Sequence, residues 1–122
     1  MRKLALLAIL LVMVTWSCAS QQIEQSYKTL AISKTTYDTT LTMAGDLYRQ
    51  GAITEQTKEQ AIKYGTVFML AHNQAVVALL EFQAISTKEA GEKANATLLA
   101  VSSALSRLLD FLEPYIAKGV PK

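Results

Sequence analysis

The sequence predicts an all-α protein, an antiparallel three-helix bundle running up, down and up behind a cleaved N-terminal signal peptide. Three observations lead there. No proline precedes Pro114 in the 122 residues, so nothing before it removes a backbone donor or fixes φ inside a helix. Apolar positions recur in alternating steps of four and three, the spacing that lines one face of a helix. The ladders stop at Gly51 and at Ser86, which carry the chemistry of a helix end and a helix start.

The leader comes first. Arg2 and Lys3 make a basic start, Leu4 to Val14 is almost wholly apolar, and the small residues Ser17, Ala19 and Ser20 surround Cys18, the one cysteine of the chain. The run is too short for a permanent span, which needs about 20 apolar residues, and its layout is that of a secretory signal over residues 1–17. Residues 18–122 then form one three-helix domain, with helices at about 21–50, 55–85 and 87–113. That length can bury a core without disulfides.

The first helix follows Ile23, Tyr27, Leu30, Lys34, Tyr37, Leu41, Ala44 and Tyr48, a seam broken only by Lys34. Thr29, Thr35, Thr36, Thr39, Thr40 and Thr42 weaken it, because β-branched residues lose rotamer freedom in a helix. Thr35 to Met43 also alternates as a strand would, but such a strand finds no second strand in the sequence to pair with. Gly51 closes the helix as a C-cap.

The second helix starts from Thr54 or Thr57 as N-cap, with Glu55 and Glu59 near its positive end. Its seam is Ala61, Gly65, Phe68, His72, Ala75, Leu79 and Phe82, widened by Ile62, Met69 and Val76. Tyr64, Val67, Ala71 and Ala78 add a second apolar side, so this is the central helix and carries more apolar surface than its neighbours are expected to cover. His72, Asn73, Gln74 and Glu81 argue against reading it as a membrane span. For the third helix, Ser86 and Glu89 form a capping box. The ladder Ala94, Leu98, Val101, Leu105, Leu108 and Leu112 leads to Pro114, where the helix is expected to end or kink.

Charge narrows the function classes. The net charge of +2 resides in Arg2 and Lys3, and the remaining chain balances ten basic against ten acidic residues. Such a balance offers no electrostatic footprint for nucleic acid. The sequence supplies no recognisable Ser, His and Asp setting, no Glu-x-x-His pair and no phosphate-binding glycine loop. Neither an enzyme, a cofactor nor a metal centre is therefore expected.

Two groups of residues remain candidates. His72 is the one histidine and lies on the apolar seam, and antiparallel registration brings Lys34, Ser102 and Ser103 to its level as a polar core layer that fixes register. Tyr27, Tyr37, Tyr48 and Tyr64 are either half-buried packing or an interface, since tyrosine combines large contact area with little rotamer entropy.

A cysteine directly after an apolar leader resembles the lipobox of bacterial lipoproteins, with Ser17 suiting the position before it and Thr15 and Trp16 departing from the usual Leu and small residue. The resemblance implies that Cys18 is acylated and becomes the new N-terminus. The competing reading is ordinary cleavage after Ala19. Two or three acyl chains anchor a protein stably without spanning, and Ala19 in place of Asp points to the outer membrane, facing the periplasm. The chain as a whole is similar to small bacterial lipoproteins of unknown function, including prophage-encoded ones. The resulting expectation is a membrane-tethered, non-enzymatic module that binds another envelope protein or itself. A small-ligand or metal carrier built around His72, and a phage-derived exclusion or lysis accessory, are the alternatives.

Overall fold

The computed structural model describes residues 2–119, with side-chain surroundings for residues 21–117. Among the described residues there are three helices: α1 (Arg2–Arg49), α2 (Glu55–Ala84) and α3 (Lys88–Gly119). All three pairs of helices pack against each other, so the all-α three-helix bundle is the observed fold. Its direction is read from cross-helix contacts. Tyr27 reaches Gln83 and Tyr37 reaches Phe68, so the α2 partner falls as the α1 number rises. A side chain at Gly91 would touch Phe82, and Tyr64 meets Phe111, which sets α3 antiparallel to α2. Gln22 hydrogen-bonds Asn95, close to the starts of the bundle portions of α1 and α3.

α1 begins at Arg2, well before residue 21, because nothing between the apolar leader and the bundle breaks a helix. Cys18 falls in the part of α1 whose side chains lie outside the described residues. Further on, the threonines fit a helix for a local reason. The hydroxyls of Thr29, Thr35, Thr36, Thr40 and Thr42 each donate to the carbonyl four residues back, at 2.7–3.0 Å. Each hydroxyl is thus satisfied within the helix and does not compete with it.

The same device alters the seam. Leu30, Tyr37 and Ala44 are buried as expected, but a second buried line runs through Ser26, Ser33, Thr40 and Leu47, every seventh residue. Ser26 and Thr40 return their hydroxyls to their own helix. They therefore bury small side chains with no orphaned donor, and a close helix contact becomes available. Lys34 is displaced to the rim, where it pairs with Asp38 at 2.6 Å.

α1 ends as Gly51 predicts. Its φ of 75° is the left-handed conformation that glycine adopts without steric cost. The N–H of Gly51 donates to the carbonyl of Tyr48, and that of Ala52 to the carbonyl of Leu47, the paired bonds of a Schellman close. Thr54 caps α2, accepting from the N–H of Thr57 at 3.1 Å. The cap of α3 is Thr87 and not Ser86: its hydroxyl accepts from the N–H of Ala90 at 3.2 Å. The start is one residue later than the capping-box pattern implies, which places Glu89 one position too early to return a bond to the cap.

Pro114 does not end α3, which continues through it to Gly119, past the expected limit at 113. The proline and Asp110, whose carbonyl loses its usual donor, are both exposed, so the lost bond falls on the solvent side of the helix. Tyr115 and Ile116 pack against the core just beyond, and their burial holds the last turn in place.

Candidate functional site

The interior of the bundle contains no polar layer of the expected kind among the described residues. Ser102 and Ser103 are both exposed on α3, and Lys34 is committed to Asp38, with its ammonium 5.2 Å from the Tyr37 ring centre. His72 is partly buried. Its ring tilts against Phe68 at 5.9 Å, and its Nδ1 is buried with no hydrogen-bond partner. Antiparallel registration gives the right level along the axis but not the right angle, because the buried face of α3 is set by Ala94, Val101, Ala104 and Leu108. Among the described residues no group of three or more His, Cys, Asp or Glu side chains is placed to hold a metal ion.

The tyrosines divide. Tyr37 is core and not interface: it is buried and stacks on Phe68 at 4.5 Å, with its ring over Gly65, where a Cβ would come within 3.2 Å. Tyr64 packs at 5.1 Å on Phe111, and Tyr27 spends its hydroxyl on Gln83 at 3.3 Å. Tyr48 is the exposed one, and the ammonium of Lys58 sits 4.1 Å from its ring centre. Cation and ring attract at that separation. The four therefore do not compose one surface.

A surface does exist on the outer side of α2. Ile62, Val67, Leu70, Val77 and Leu80 are each between half and two-thirds exposed. The buried positions of the same helix are mostly small: Ala61, Gly65, Ala71, Ala75 and Ala78, with Phe68, Leu79 and Phe82 as the large exceptions. Small residues let α1 and α3 approach closely, and the bulky aliphatic side chains are left facing outward. From Tyr64 to Leu80 no residue carries a formal charge, with Lys63 and Glu81 as the boundaries. By length and composition Glu55–Ala84 qualifies as a membrane-crossing helix, but Phe68, Leu79 and the alanines pack against the bundle's own neighbours.

The chain matches no family model, no curated protein and no solved structure. The site therefore stands on its own chemistry. In sequence, Ile62 reads as part of the core-facing stripe, Asn73 counts only against a membrane span, and Leu70, Val77 and Leu80 do not stand out. The signal that could have found them is a second ladder on α2, Leu70, Asn73, Val77, Leu80 and Ala84, which is also spaced by three and four.

Proposed function

We propose that this protein is a membrane-tethered bacterial envelope lipoprotein that acts as a non-enzymatic interaction or structural module. The observation that supports the interaction role is the outward line of large aliphatic side chains on α2, exposed apolar surface of the sort that marks a binding face. The tether rests on the leader and on Cys18. An acylated Cys18 accounts for a lone thiol in an exported chain and sits only a few residues before the first described side chains of α1. The location that goes with this reading is the outer membrane, facing the periplasm.

The tether is tested by replacing the thiol. Cys18→Ser is expected to move the protein out of the membrane fraction or leave its leader uncleaved, and the wild-type intact mass should fit a chain beginning at an acylated Cys18. A mature chain that begins at Ser20 without lipid would end this reading.

The unpartnered Nδ1 of His72 favours one second reading, a carrier of a soft metal ion in the bundle interior. A bound ion at a hundredfold excess over its dissociation constant stabilises the folded state by about 2.7 kcal/mol. Since the described residues gather no set of ligands around His72, we expect no rise in melting temperature with zinc, copper or nickel. A rise that vanishes in His72→Leu would put the carrier first.

A further inference from the structure

The outer side of α2 has the pattern of a surface that recognises itself. Lys63 and Glu81 are eighteen residues apart, about five full turns, so they stand on the same line of the helix some 27 Å from each other. Ile62 and Leu80 repeat that relation one residue earlier. Asn73 lies one residue from the midpoint of the first pair, and it is the exposed polar residue of a ladder that otherwise reads Leu70, Val77, Leu80 and Ala84. The stripe thus has a cation at one end, an anion at the other and an amide at its centre.

We propose that the partner of this surface is a second copy of the same chain, with the two α2 helices packed antiparallel about a two-fold axis beside Asn73. This deepens the interaction-module reading and rests on it, but it does not depend on the anchor. In this arrangement Lys63 of each copy faces Glu81 of the other, Ile62 faces Leu80, and the two Asn73 amides meet near the axis. A twofold interface uses the same patch on both copies, as this requires. The parallel alternative sets Lys63 against Lys63 and Glu81 against Glu81, and like charges opposed across a contact select against it. Glu81 already receives Lys93 on Oε2 at 3.2 Å, and Oε1 is left for a second cation. Lys63 is exposed and makes no ion pair among the described residues. The next position back on the ladder, Thr66, is also exposed but donates its hydroxyl to the carbonyl of Ile62 at 3.0 Å, which leaves Asn73 as the amide of the seam, and a single Asn in such a seam is a known device for fixing register at some cost in stability.

The test uses the full chain purified in detergent, where neither copy is confined to one orientation. Sedimentation is expected to show a dimer. Lys63→Glu should weaken it at least tenfold, and Lys63→Glu combined with Glu81→Lys should restore it, because the reversed charges again face each other. Oxidation of a mixture of Lys63→Cys and Glu81→Cys chains should yield a disulfide peptide joining positions 63 and 81 of different copies, identified by mass so that Cys18 is not mistaken for it. A monomer at all concentrations, or a 63-to-63 disulfide from Lys63→Cys alone, overturns the proposal. Membrane fractionation of the same strains reads the anchor separately, so loss of one reading is not confused with loss of the other.

Discussion

The two sides of α2 invert the usual distribution of size. Toward the bundle, α2 presents alanines and a glycine punctuated by Phe68, Leu79 and Phe82; toward solvent it presents Ile62, Leu70, Val77 and Leu80. The inner side is legible as packing. Gly65 admits the Tyr37 ring, Gly91 on α3 admits Phe82, and the alanines draw the helices together. The outer side costs apolar exposure without any return inside the bundle. The contrast shows that burying the most aliphatic surface is not what decides which way α2 faces; the close fit of its alanines and Gly65, with Phe68 and Phe82 set into the gaps, is.

Substitutions on the two sides should separate accordingly. Phe68 is fully buried, stacks on Tyr37 and touches the His72 ring, so Phe68→Ala should lower the unfolding free energy by about 3–5 kcal/mol in denaturant melts. A smaller loss would mean that the inner side is loosely packed. Next comes Gly65→Val. Even one added carbon would lie 3.2 Å from Tyr37, whose stacking on Phe68 leaves it little room to retreat, and a cost of about 1–3 kcal/mol is expected. The smallest effect should come from the outer side: Leu70→Gln should shift the stability of the dissociated chain by no more than about 0.5 kcal/mol while removing the dimer that sedimentation is expected to show. If Leu70→Gln destabilises the lone chain as much as Gly65→Val does, the outer side is packing and the contrast fails.

Much of the fold can be read from spacing and end signals. The three ladders, the Gly51 close and the Thr54 cap depend on local chemistry that sequence carries directly. Sequence and structure part where local rules compete. Ser86 and Thr87 are both cap formers, and nothing in their types says which adopts the extended backbone. Pro114 announces the bond it removes, but not the burial of Tyr115 and Ile116 that compensates. Ser26, Ser33 and Thr40 look polar in sequence and so do not suggest a buried line, although the helix itself satisfies Ser26 and Thr40. The polar layer fails for a further reason: antiparallel registration gives height along the bundle but not rotation about each helix, so Ser102 and Ser103 stand at the right level on the wrong side. The surplus apolar surface of α2 is legible as a quantity, whereas its arrangement around Asn73 emerges only once the buried face is known.

α1 runs without a break from the leader into the bundle, and that continuity has a mechanical consequence. A protein acylated at Cys18 would have almost no slack between its lipid and its body, so it would stand on the bilayer like a peg. The Gly51 turn would then lie about 50 Å from the surface, at about 1.5 Å per residue. Pegs rooted in one lipid layer point the same way and bring Lys63 to Lys63, so on a single membrane face the anchor would hold the antiparallel fit of α2 apart, and self-pairing would belong to chains that have left the layer.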